Sequence, residues 1–139
     1  MSISKVRLID THHVTGDNNL RVASVDKQGP AGAHHRYEVT GIDTVGNTSF
    51  LSEFSDTSPN TDRVIILFQN GIPAETGYNG LTIETLLAIC GDRLECFQKG
   101  PFPSEYNQTA LEHINKALEA LKQRTMTRIA RGVKDQHVK

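Results

Sequence analysis

The sequence predicts an α+β protein, with an N-terminal, mainly antiparallel β-sheet followed by a C-terminal αα-hairpin. Three observations carry that expectation. Between residues 81 and 131 apolar side chains recur three and four apart, in two runs parted by K-G-P-F-P-S. Earlier in the chain, short alternating or apolar runs are bounded by turn-forming clusters instead. With 139 residues, 37% of them apolar and 22% charged, the chain suits one modest soluble domain or two small lobes.

Taken in order, Ile3, Val6, Leu8 and Ile9 give a short first strand within residues 1–10. His12 and His13 lead into T-G-D-N-N, a turn cluster, and L-R-V-A-S-V at 20–25 alternates as a second strand. After the loop K-Q-G-P-A-G-A, residues 34–42 form a third strand, with Tyr37 and Val39 on one face and Arg36, Glu38 and Thr40 on the other. Gly46-Asn47 predicts a hairpin turn into a further strand, T-S-F-L-S-E-F. R-V-I-I-L-F-Q at 63–69 is the most apolar run before the helices and is expected at the centre of the sheet. Asn70-Gly71 ends it. I-P-A-E-T-G-Y-N-G then links to the helices with at most a short edge strand, because Pro73 lacks a backbone donor.

The first helix places Ile83, Leu86, Leu87, Cys90, Leu94 and Phe97 on one stripe. Thr82 is a better N-cap than Gly80, because its hydroxyl accepts an orphan amide bond. Gly100 stops this helix, Pro101 and Pro103 forbid its continuation, and Ser104 caps the next. The second helix aligns Leu111, Ile114, Ala117, Leu118, Leu121 and Ile129. Neither stripe is buried by its own helix, so the two pack on each other, on the sheet or on a second copy. The expected divisions are a β-rich portion at 1–79, a helical hairpin at 80–133 and a tail at 134–139.

The net charge of −1 hides an asymmetry: residues 1–114 carry about −6 and residues 115–139 about +5. No leader and no membrane span is expected, and Cys90 and Cys96, six apart on a helix, are badly placed for a disulfide. Reducing cytoplasm is the expected compartment. A strand sends adjacent side chains to opposite faces, so His12-His13 and His34-His35 each offer at most one ligand to a given site, and no metal is expected. G-x-S-x-G, a Walker A loop and G-x-G-x-x-G are absent, and Asp92 with Glu95 reads as a solvated helix surface. No catalytic residue and no cofactor is expected.

The informative group is cationic. Arg124, Arg128 and Arg131 fall at i, i+4 and i+7, one stripe at the end of the second helix. Such a stripe suits solvent beside a helix C-terminus, a phosphate gripped by guanidinium forks, or a partner's carboxylates. Gly132 permits a turn offering backbone amides beside Arg131. Phe102 in the bend, Phe68 beside Gln69 and Asn70, and Tyr78 beside Asn79 add rings next to amides, a pairing suited to a nucleobase. A nucleic-acid polymer is disfavoured, since one short stripe on an acidic body makes a poor track.

F-Q-N-G at 68–71, Y-N-G-L-T at 78–82, L-L-A-I-C-G-D-R-L-E-C-F-Q-K-G-P-F at 86–102 and A-L-E-A-L-K-Q-R-T-M-T-R-I-A-R-G-V at 117–133 resemble the helical-hairpin domain of phage anti-CBASS and anti-Thoeris sponge proteins. The resemblance covers about residues 64–137 and not the first 60. It is nearer the larger anti-Thoeris type, which also sets a β portion before two helices. It implies capture, without cleavage, of a cyclic nucleotide or a cyclic ADP-ribose isomer in the bacterial host cytoplasm. It also implies self-assembly as a dimer or hexamer with pockets between chains. By the same resemblance, Arg124, Arg128, Arg131, Gly132 and Val133 would hold ligand phosphates, with Phe102, Asn107, Phe68 and Asn70 near the nucleotide. Two departures stand out: the family's R-G-V-x-G-T reads R-G-V-K-D-Q here, and its G-P-F-x-C-x-E-N reads G-P-F-P-S-E-Y-N. Asp135 thus brings a carboxylate toward a phosphate-binding turn. The alternative function is a structural or interaction protein that oligomerises through the hairpin without a small ligand.

Overall fold

A computed structural model of the chain describes residues 6–58 and 62–131. The fold is α+β, an antiparallel sheet followed by a helical hairpin, and the chain divides into two compact units between Phe68 and Gln69.

In the first unit, β1 (Arg7–Ile9), β2 (Arg21–Ser24), β3 (Arg36–Thr40) and β4 (Arg63–Leu67) form a sheet in the order β1-β2-β3-β4, every neighbouring pair antiparallel. The register sets Arg7, Ser24, Tyr37 and Ile66 in one cross-strand row and Ile9, Val22, Val39 and Val64 in the next on the same face. On the opposite face Glu38 bridges Arg36 at 2.7 Å and Arg63 at 3.3 Å.

Two strand expectations are corrected. Residues 48–54 form no strand; Thr44–Gly46 is a 3₁₀ turn and the following segment is a chain of bends. The cause is local side-chain chemistry. Asp43 Oδ1 accepts from the Val45 amide, Asn47 Oδ1 from Ser49, Ser52 Oγ from Phe54 and Ser55 Oγ from Thr57. Amides that a ladder would need are already taken. With that strand missing, β4 pairs directly with β3 and lies at the sheet's edge rather than its centre.

The second unit opens with α1 (Pro73–Thr76), a single helical turn with proline at its start, where a linker with at most a short edge strand was the expectation. It is followed by α2 (Ile83–Lys99) and α3 (Glu105–Ala130). The helix boundaries follow the predicted caps. Thr82 Oγ1 accepts from the Thr85 amide and Thr85 Oγ1 from the Thr82 amide, a closed capping box. Gly100 ends α2, and Ser104 Oγ accepts from Tyr106 and Asn107 to begin α3. Gln98 Oε1 accepts the Ser104 amide at 2.9 Å and so ties the bend to the end of α2.

The two helices meet at Gly91, the buried residue of α2: a Cβ there would lie 3.4 Å from Ile114 Cγ2 and 3.9 Å from Leu111 Cδ1. The packed stripe of α2 therefore centres on Leu87, Gly91 and Leu94, while Ile83, Cys90 and Phe97 of the expected stripe remain exposed. Cys90 and Cys96 are free thiols.

Candidate functional site

Helix α3 carries Asn107, Arg124 and Arg128 of the predicted site residues, with Arg131 as its C-cap, and its length separates them. Asn107 lies in its first turn, half-buried, and Phe102 in the bend is 83% exposed. Arg124 lies 17 residues beyond Asn107, or about 25 Å along the helix axis. Phe102 and Asn107 therefore cannot share a pocket with the arginines of their own chain.

The arginine end has its own geometry. Gly91 sits against Leu111 and Ile114, so counting back along antiparallel α2 brings its start opposite about residues 119–122 of α3. The last turns of α3 run past that point. Arg124 is exposed there and Arg128 half-buried, and neither has an ion-pair partner among the described residues. Arg131 is the C-cap, with its amide bonded to the Thr127 carbonyl. Along one stripe Arg124 and Arg128 rise about 6 Å apart and Arg128 and Arg131 about 4.5 Å, spacings that let two guanidinium groups grip one phosphate or adjacent phosphates. Gly132 and Val133, together with Asp135 and Gln136, lie outside the described residues.

Asn70, expected near a nucleotide, belongs to a clamp with Asn79. Its amide donates to Asn79 Oδ1 at 2.9 Å, and its carbonyl accepts from Asn79 Nδ2 at 2.8 Å. Gln69 completes the clamp: its Oε1 accepts the Asn79 amide, its Nε2 donates to the Gly77 carbonyl, and its own amide donates to Leu81. F-Q-N-G and Y-N-G-L-T are thus fastened to each other, which sets the entry into α2. Repeated amide residues ten apart on either side of a proline-bearing turn were the available signal. Phe68 belongs to the first unit, edge-on to Tyr37 with ring centroids 5.6 Å apart, its amide donating to the His35 carbonyl.

The adjacent histidines also differ from the expectation that neighbours diverge. His34 and His35 precede β3, and both place Nδ1 near Asp26, at 3.7 and 3.9 Å from its carboxylate oxygens. Asp26 also accepts the amides of His35 and Arg36. Burial raises the Asp26 pKa, but the two amide donors and the two imidazoles outweigh it and hold the carboxyl below its usual value.

Residues 60–126 match the family model of the Acb2/Tad1 hairpin domain. That stretch, just under half of the chain, is similar to the hairpin domain of that family. A relative, "Thoeris anti-defense 1" of Bacillus phage SBSphiJ7, is 39% identical over 72 residues, which are 52% of this chain and 51% of the relative. The chain thus spans about half the length of the curated relative it matches. The Acb2/Tad1 match begins before β4 and includes Phe68, Asn70, Phe102, Asn107 and Arg124; Arg128 and Arg131 follow its end.

Proposed function

We propose that this protein is a non-catalytic phage or prophage antagonist of bacterial defence that sequesters a cyclic nucleotide or a cyclic ADP-ribose-type messenger in the host cytoplasm. The observation that carries this reading is the pair Arg124 and Arg128, without carboxylate partners among the described residues, on the helix of a hairpin similar to the Acb2/Tad1 domain. Guanidinium groups held within one helical turn of each other repel until an anion sits between them, and a phosphate accepts both forks.

A second copy completes the site. Because the bend and the arginines lie about 25 Å apart on α3, a ligand touching both spans two chains. Two hairpins related by a two-fold axis set the bend of one against the arginine end of the other. Ile89, Met126 and Ile129, each between 58% and 69% exposed, supply apolar surface for such an interface. The ligand is held by charge-assisted bonds to phosphate and by stacking, and it leaves with every bond intact.

Equilibrium dialysis against 3′,3′-cyclic di- and trinucleotides and cyclic ADP-ribose isomers tests this reading. The wild-type protein retains at least one of them, and Arg128→Gln weakens retention by about tenfold or more. Retention of none by an excess of folded protein would leave the interaction protein as the better account.

A further inference from the structure

We propose that the N-terminal sheet carries a small-anion site of its own, centred on Arg7 and suited to a phosphate monoester attached to a flat ring. This goes beyond the hairpin reading and involves none of the hairpin's arginines. A groove of about 670 Å³ opens on the sheet, lined by Val6, Arg7 of β1, Gln28, Gly32, Ala33, His34 and Tyr37 of β3. That volume lies within the range that holds small ligands.

The groove follows from register. Arg7 faces Ser24 across β1 and β2, and Ser24 faces Tyr37 across β2 and β3, so the three side chains share one face. Between the two lining residues, Ser24 is fully buried and its Oγ has no hydrogen-bond partner among the described residues. A buried hydroxyl left unpaired costs about 1–3 kcal/mol. Ser24 lies beneath the groove rather than on its wall, so Arg7, Gln28, His34 and Tyr37 are the side chains a ligand would meet. Arg7 is likewise exposed and without an ion-pair partner among the described residues.

The surrounding groups are already oriented. His34 Nδ1 donates to the Asp26 carbonyl at 2.7 Å, which leaves Nε2 as the ring nitrogen available to a ligand. Gln28 Nε2 donates to the Gly32 carbonyl at 2.8 Å, which leaves Oε1 to accept from a ligand N–H. Tyr37 is set edge-on by Phe68 and offers its ring to a flat partner. A guanidinium for phosphate, an amide oxygen for an exocyclic amine and an aromatic wall together describe a nucleoside monophosphate better than a bare anion or a bare base.

The test titrates the full ¹⁵N-labelled chain with adenosine monophosphate, and separately with adenosine and with inorganic phosphate, following backbone amide shifts. Adenosine monophosphate produces saturable shifts at Arg7 and residues 28–37, while adenosine and phosphate alone bind more weakly. Arg7→Gln lowers the affinity about tenfold and Arg7→Glu abolishes it, with the unfolding temperature unchanged because Arg7 is exposed. The double variant Arg124→Gln/Arg128→Gln leaves these shifts in place. No saturable shift by about 5 mM, shifts confined to residues 124–131, or equal binding by Arg7→Gln would each overturn the proposal.

Discussion

In the hairpin each helix is closed by a side chain within three residues of the amide it caps, and two helices adjacent in sequence cover each other. In the sheet every ladder joins segments far apart: Arg7 faces Ser24, and Arg36 faces Leu67 across a segment whose described residues form no strand. One unit is organised by local bonds and a single close approach, the other by register and by the half-buried carboxylate of Asp26, which holds a loop. The candidate sites follow the same division. The hairpin presents a row of cations on a helix that outruns its partner, whereas the sheet brings one cation from β1 beside an imidazole and a ring from the segment of β3.

The largest effect expected on this contrast comes from Gly91. Gly91→Leu drives a side chain into Ile114 and destabilises the hairpin by about 1–3 kcal/mol, while Gly91→Ala is near neutral, since the tight Cβ contact offsets a gain in helix propensity of about 1 kcal/mol. Thermal unfolding followed at the helix signal separates the two; equal destabilisation by both would remove the close approach as the hairpin's organising contact. Next is the clamp. Asn79→Ala deletes both bonds to Asn70 and costs about 1–2 kcal/mol, read as faster hydrogen exchange at residues 69–81 with the β-strand amides unaffected.

Ser104→Ala removes the cap of α3 and costs about 1 kcal/mol. Its signature is fraying confined to the first turn of α3, visible in amide exchange. The smallest effect belongs to the sheet. Asp26 is held below 3.8 in the folded chain, so it contributes stability that is present above its unfolded pKa and is lost as pH falls through the depressed folded value. Acid titration of the wild type therefore has a steeper loss below about pH 4 than Asp26→Asn. Parallel curves would show that the amide and imidazole contacts to Asp26 do not favour its charged form.

The parts of the fold legible in the sequence were those closed locally. Thr82, Gly100 and Ser104 announce their helix boundaries because the capping atom and the capped amide are neighbours in the chain. The place of β4 was illegible because edge or centre depends on what pairs alongside. The run at 48–54 has strand-like composition, yet Asp43, Asn47, Ser52 and Ser55 take the amides a ladder would use. Gly91 gave no sign of its role, since a glycine inside a helix does not say what faces it. At the candidate site the arginine spacing was readable from helical period alone. The same helix, capped at Ser104 and carrying its arginines at the far end, already separates Phe102 and Asn107 from them by its length, and α3 runs unbroken from Glu105 to Ala130.

The most direct test of sequestration is native mass spectrometry of the full chain with a mixed panel of cyclic di- and trinucleotides and cyclic ADP-ribose isomers. The account predicts an oligomer that gains the mass of one panel member per site and releases it chemically unchanged on denaturation. An oligomer with no added mass, or a released compound of altered mass, would contradict it.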